Sequence, residues 1–344
     1  MKSILITGGA GFIGSNFTRF WYDRHPDYKI IVLDNLTYAG RLKNIPEYIY
    51  NDSERFAFFL GSVTSIEIVN ILAEKADIIV HFAAETHVTR SILESRNFFE
   101  TDVLGTHTLA NAVLKFQDRV ERFVHISTSE VYGTAYADPM DEDHPLNPSS
   151  PYASAKCGAD RLVHSYHLTY GIPSIILRPF NQYGPFQHLE KVIPRFITSA
   201  IRGEPLTIHG DGSALRDWLY VEDTCERIEA AILAPLETVV GQVFNIGSGE
   251  ATSILDIAHM VLREMNRPMD AIVYIGDRLG QVASHISSAD KAQRILGCGG
   301  KGRPFIEGLR QTIDWYMLNE AWWQEIEWMK HVRVLTRAGM EEAH

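Results

Sequence analysis

The chain has 344 residues, 45% of them hydrophobic and 22% charged, with a net charge of −11. That length suits one large α/β body with a smaller lobe. The acidic balance, with no basic cluster, excludes a nucleic-acid-binding surface. Three widely spaced cysteines, Cys157, Cys225 and Cys298, show no CxxC pattern and suit a reducing compartment rather than a disulfide framework. The apolar run SILIT is too short for a signal peptide or a membrane helix, so a cytoplasmic protein is expected.

Apolar, β-branched runs at 3–7, 29–33, 77–82, 122–127 and 173–177 read as strands buried on both faces. Helical stretches fall between them, near 12–25, 64–75, 98–116 and 151–169. The alternation predicts a Rossmann-type, doubly wound parallel sheet of about seven strands over residues 1–180, with later segments returning to it. From 181 to 330 the pattern is that of a smaller mixed α/β lobe for substrate. Helices are expected at 190–202, 253–265 and 303–318, and a short strand and turn at 206–212. Residues 331–344 read as a tail. Trp322, Trp323 and Trp328 read as aromatic packing on the domain surface.

The first strand runs into TGGAGFIGS. Gly8, Gly11 and Gly14 let the backbone approach a pyrophosphate, and the following helix offers unpaired N–H groups to it. Asp34 closes the second strand. A carboxylate there accepts both ribose hydroxyls and repels a 2′-phosphate, which favours NAD; Arg41 close by leaves NADP open. In HFAAETH, Ala83 and Ala84 offer a small strand end beneath a cofactor. His81, Glu85 and His87 lack the HExxH spacing, so no metal site is expected.

PSSPYASAK places Tyr152 and Lys156 one helical turn apart on one face. A neighbouring ammonium stabilises phenolate, so the pair is expected to exchange a proton near neutral pH. Upstream, HISTSEVYG sets Thr128, Ser129 and Glu130 side by side at a strand end. They form either a loop cap or a surface that handles protons.

Together TGGAGFIGS, Asp34, STSEVYG and PYASAK resemble the extended short-chain dehydrogenase/reductase family, nucleotide-sugar branch. LTYAG, NFFETDVLGT, EKVIP, PLTIHGDG, RDWLYVED and TIDWY make dTDP-glucose 4,6-dehydratases the most similar group. The resemblance implies tightly held NAD, contacted by Phe12, Ile13, Asn35, Ser62 and Val63 besides the residues above. It implies hydride transfer at sugar C4 governed by Thr128, Tyr152 and Lys156, and a homodimer. Two long helices near 98–116 and 151–169 would pair with their twofold mates. It implies a nucleotide-diphosphate sugar substrate held by His87, Asn181, Lys191, Val192, His209, Arg216, Asn245 and Arg278. For Lys191, Arg216 and Arg278 a solvated face is the bland alternative; for His209 it is a packed or solvent-facing ring.

A C4 ketone acidifies the hydrogen on C5, and Glu130 is the expected base for it. The dTDP-glucose enzymes usually carry Asp-Glu after the threonine; here Ser129 replaces the aspartate. Serine is a poor acid, so Glu130 returns its proton to the departing C6 hydroxyl, or a relay through Ser129 does. The same Thr-Ser-Glu triplet occurs in GDP-mannose 4,6-dehydratases and in UDP-glucuronate decarboxylases. The expected function is therefore an NAD-dependent NDP-hexose 4,6-dehydratase of deoxysugar biosynthesis. The alternatives are a UDP-glucuronate decarboxylase, a 4-epimerase and a non-enzymatic NAD-binding relative.

Overall fold

The computed structural model describes residues 1–276, 282, 284–336 and 339–343. Among these residues the strands β1 Lys2–Thr7, β2 Tyr28–Asp34, β3 Phe56–Leu60, β4 Ile78–His81, β5 Arg122–Ile126 and β6 Ser174–Pro179 lie in one parallel sheet. The order is β3-β2-β1-β4-β5-β6, and a seventh strand, Val243–Ile246, closes the far edge beside β6. Alternation explains why these runs are apolar throughout. Ile4, Ile6, Ile30, Val32, Val124 and Leu177 enter the core on one face. Their neighbours Leu5, Ile31, Leu33, Phe123 and Ile176 enter the core on the other. The inner strands are thus buried on both sides, as helix-covered parallel sheets require, while the edge strand β3 leaves Phe59 and Leu60 exposed.

Helix Phe12–Arg24 covers the first face. Helices Ile66–Ala73, Gly105–Lys115 and Pro151–Tyr170 cover the second. Ser150 caps the last of these by accepting the Ala153 N–H at 3.1 Å, with Pro151 in its first turn, and Gly171 ends it in the left-handed region. A helix absent from the sequence reading, Val221–Leu233, lies beside Phe12–Arg24. Its Cys225, Ile228, Ala231 and Ile232 share a core with Phe17 and Trp21. The sheet body therefore draws on residues 221–246 as well as the first 180.

The remaining short strands are β7 Asn181–Tyr183, β8 Leu206–His209 and β9 Leu215–Tyr220, followed by Ala251–Ser253, Ile272–Ile275 and Ser284–His285. With helices Val192–Arg202, Ile254–Glu264 and Phe305–Leu318 they build the lobe around its own apolar core. The tryptophans divide. Trp323 is fully buried in the lobe core, contrary to a surface role, because its indole N–H reaches the Tyr316 carbonyl at 2.8 Å; Trp328 is 69% exposed. The segment read as a tail contains two paired antiparallel strands, Val332–Thr336 and Gly339–Ala343.

Candidate active site

A cavity of about 460 Å³ lies between the carboxyl ends of the sheet strands and the lobe. This is where open α/β sheets bind ligands. It takes in nearly every residue singled out from the sequence. Gly8, Gly11, Phe12, Ile13 and Gly14 line it, as do Asp34, Asn35, Ser62, Val63, Ala83 and Ala84. So do Thr128, Ser129, Glu130, Tyr152 and Lys156, His87 from the loop after β4, and from the lobe side Asn181, Lys191, Val192, His209 and Arg216.

The glycine turn fits a dinucleotide. Gly8 has φ +72°, and a Cβ there would collide with the backbone of Ala83; one on Gly14 would collide with the Gly8 carbonyl. Side chains would close the turn against the next strand and against itself. Asp34 Oδ2 accepts the Ala10 N–H at 2.9 Å and Oδ1 the Leu36 N–H at 2.8 Å. Those bonds fix the carboxylate in the cavity lining, and burial raises its pKa against them. Arg41 is committed elsewhere. It donates to the Trp322 carbonyl at 2.7 Å and pairs with Glu325, which removes it as a ligand for a 2′-phosphate.

The strand-end triplet is both cap and surface. Thr128 caps the short helix Ser129–Tyr132, its hydroxyl accepting the Glu130 N–H at 3.3 Å. The same hydroxyl and that of Thr86 hydrogen-bond the Tyr152 phenol. No described residue bonds the Glu130 carboxylate, which leaves it available to whatever fills the cavity.

One electrostatic expectation is corrected. The Tyr152 pKa is not lowered overall: burial raises it, opposed first by the Thr128 hydrogen bond. The lysine is turned to the strand instead, donating to the Ile126 carbonyl at 2.7 Å. Burial lowers its own pKa, while Asp102 and Asp160 oppose that change.

Asn245 is a second correction. It is fully buried on the edge strand, away from the cavity. Its side chain accepts from the Tyr132 hydroxyl at 2.7 Å and donates to the Met140 carbonyl at 3.0 Å, so its hydrogen-bonding capacity is consumed inside the protein. Arg278 lies outside the described residues. His81, read as structural, sits between the hydroxyls of Thr7 and Thr106 at 2.7 and 3.0 Å. No cluster of potential metal ligands occurs among the described residues.

The structure adds a group that spacing alone did not reveal. Glu190 is buried, ion-paired with Arg90 at 2.8 Å and bonded by the Tyr38 hydroxyl at 3.1 Å. Burial raises its pKa, but His87, Lys191, His188 and Arg90 hold it down at about 2. Arg90 also stacks on Tyr38, 4.0 Å from the ring centroid. This knot joins the loop after β2, the loop after β4 and the start of the lobe. LTYAG and EKVIP were visible in the sequence as resemblance, not as partners.

A glycine turn, a buried aspartate at the end of β2 and a threonine–tyrosine–lysine wall, faced by Lys191 and Arg216 from the lobe, define an extended short-chain dehydrogenase/reductase of the nucleotide-sugar branch. The family model described as GDP-mannose 4,6 dehydratase matches residues 5–297, and the chain belongs to that family. It is 42% identical over 91% of its length to the low-salt glycan biosynthesis protein Agl12 of Haloferax volcanii, covering 98% of that protein. It is 38% identical to a dTDP-glucose 4,6-dehydratase of Streptomyces antibioticus, over 94% of this chain and 95% of the relative. Among solved structures, DesIV (dTDP-glucose 4,6-dehydratase) from Streptomyces venezuelae with NAD and TYD bound superposes with a TM-score of 0.88. It is 36% identical, with 94% of this chain and 99% of that one covered.

Proposed function

We propose that the protein is an NAD-dependent NDP-hexose 4,6-dehydratase. The observation that carries this reading is the Glu130 carboxylate, bonded by no described residue, in the same cavity as the Thr128–Tyr152 pair. Oxidation or epimerisation at C4 needs only the latter; removal of a proton from C5 needs a further base.

Gly8, Gly11 and Gly14 would hold the pyrophosphate, Asp34 the adenosine ribose, and Lys156 the nicotinamide ribose. NAD held by these residues would supply the hydride acceptor for C4 and the hydride donor for C6. Thr128 orients the C4 hydroxyl and Tyr152 takes its proton, which passes to solvent because C4 stays a ketone in the product; C5 regains a proton from solvent as hydride reaches C6. Glu130 removes the C5 proton, made acidic by the new C4 ketone, and the C6 hydroxyl departs as water. Glu130 is then the proton source for that departure, since Ser129 is a weak acid. Arg216, buried on β9 with Nη1 on the Leu215 carbonyl at 2.8 Å, presents a guanidinium fork suited to a diphosphate. Asn181, Lys191 and His209 would complete the sugar-nucleotide contacts.

A panel of dTDP-, UDP-, GDP- and CDP-glucose, GDP-mannose and UDP-glucuronate, analysed by product mass, tests the reading. Loss of one water from a hexose supports it. Loss of carbon dioxide from the glucuronate would assign decarboxylation instead. A homodimer belongs to the same proposal. Helices Gly105–Lys115 and Pro151–Tyr170 pack side by side, and Phe99, Leu104 and Leu168 stay 43%, 55% and 71% exposed in a single chain. Sedimentation at micromolar protein checks it. Cytoplasmic residence is proposed too. It is supported by three unpaired cysteines, and no helix among the described residues is long and apolar enough to cross a membrane.

A further inference from the structure

The turn that carries Glu130 is held at both ends, and the proposed mechanism uses only one of the holders. Thr128, at the exit of β5, fixes its start. Its end is Gly133, which follows helix Ser129–Tyr132 at φ +68° and donates its N–H to the Glu130 carbonyl at 3.2 Å. A Cβ on Gly133 would stand 1.8 Å from the Asn147 carbonyl oxygen, so the chain passes there with no room for a side chain. The Gly133 carbonyl is taken by a residue 152 positions away: the His285 ring reaches it through Nε2 at 2.5 Å. Thr128 also bonds Tyr152 and so belongs to the hydride-transfer wall. Among the described residues the His285 ring hydrogen-bonds only the turn that carries the base.

His285 lies in strand Ser284–His285 and is fully buried. A carbonyl only accepts, so Nε2 carries a ring proton. Burial lowers the ring's pKa, opposed first by Glu130, which leaves it neutral with Nδ1 as a bare acceptor. No described residue bonds that Nδ1. A buried acceptor without a donor costs stability, and a phenylalanine would pack beside Phe180 without that cost. The ring is therefore explained by its Nε2–H and not by its packing. Its backbone is fixed from two sides. His285 pairs with Arg216 where its strand runs parallel to β9. On the other side the Ile286 carbonyl accepts the Met140 N–H at 2.8 Å, and the Met140 carbonyl accepts the Ser288 N–H at 2.7 Å. Asp217, next to Arg216, accepts the Ser287 N–H at 3.1 Å. The strand that holds the end of the Glu130 turn is thus the direct neighbour of the strand that carries the Arg216 guanidinium.

We propose that His285 is a positioning residue for the elimination step: its Nε2–H, donated to the Gly133 carbonyl, fixes from the lobe the turn on which Glu130 enters the cavity. The proposal rests on the assignment of Glu130 as the C5 base. The Thr128 and Tyr152 hydroxyls are held from the sheet body, so oxidation at C4 is independent of His285, whereas removal of the C5 proton is not. A misplacement of about 1 Å is enough to slow such a step about 10²-fold. The requirement is for a donor at one place. Glutamine puts its side-chain nitrogen as many bonds from Cα as Nε2 of histidine. Asparagine puts its nitrogen where Nδ1 stands and falls short of Gly133.

Three variants of the whole protein test this: His285→Phe, which keeps a ring and removes the donor, His285→Gln and His285→Asn. Hydrogen–deuterium exchange without substrate reads the turn itself. The amides of residues 129–133 should exchange about tenfold faster in His285→Phe and His285→Asn, and at the wild-type rate in His285→Gln. With the substrate found by the panel, NADH should form at the wild-type rate in all three. Dehydrated product should then appear about 10- to 10²-fold more slowly in His285→Phe and His285→Asn, so that NADH accumulates, while His285→Gln restores the rate. Equal slowing of both steps in His285→Phe is a structural effect only and overturns the proposal. So does a glutamine variant that behaves as the phenylalanine one, or unchanged exchange at 129–133. Should His285→Phe fail to fold, the contrast between glutamine and asparagine decides by the same readings. If no sugar nucleotide yields NADH with the wild type, the dehydratase reading fails, and the exchange pattern alone decides whether His285 holds the turn.

Discussion

On the sheet side of the cavity the groups around the Glu130 carboxylate are anchored to the frame. Asp34 holds two backbone N–H groups, Lys156 a strand carbonyl, and Thr128 both a helix N-terminus and the Tyr152 phenol. On the lobe side Lys191 precedes helix Val192–Arg202, His209 ends a strand of a two-stranded ribbon, and Arg216 lies on β9. The first wall is built from strand exits of one sheet and from helix Pro151–Tyr170 packed on it. The second is gathered from separate short elements. Reactive groups need fixed geometry, to fractions of an ångström, and the parallel sheet supplies it. Ligand-gripping groups tolerate a looser frame, and such a frame is free to differ between substrates.

Substitutions on the two walls should therefore fail differently. Tyr152→Phe should be the most severe, lowering NADH formation about 10³-fold or more while sugar-nucleotide affinity changes little; rapid kinetics and equilibrium binding separate the two. Glu130→Gln should cut dehydrated product about 10²- to 10³-fold yet still generate NADH on mixing, since C4 oxidation precedes its step. Product formed at the parental rate would remove Glu130 from the mechanism. Asn245→Ala should act on stability alone, costing about 2 kcal/mol in denaturant unfolding and leaving KM unchanged, because its bonds are internal. A raised KM would return it to the substrate. Arg216→Lys should have the smallest effect, about tenfold in KM with kcat retained, as a forked contact becomes a point charge. If kcat falls instead, the lobe wall takes part in the chemistry and the contrast breaks down.

How much of this was legible beforehand differed between the same two walls. β1, the glycine turn and helix Phe12–Arg24 could be read in order because their signals are local: a two-face apolar run, three spaced glycines, then helical periodicity. Tyr152 and Lys156 followed from a spacing of four. Helix Val221–Leu233 escaped because it begins directly at the end of β9, with Tyr220 making no side-chain cap. Asn245 misled because an asparagine on a strand looks the same whether it faces a ligand or, as here, a buried tyrosine and a carbonyl. The Glu190–Arg90–Tyr38 knot could not be seen at all, since its members are separated by 100 and 152 residues.

The chain by itself determined the sheet body, the dinucleotide turn and the tyrosine–lysine pair, because each is encoded by periodicity or spacing within a few helical turns. Only the tertiary structure decided which groups share a charge. The turn of Lys156 toward Ile126, the withdrawal of Arg41 to Glu325 and the burial of Asn245 all depend on segments far apart in sequence. Desolvation and Coulomb coupling act through space, and no local pattern records them.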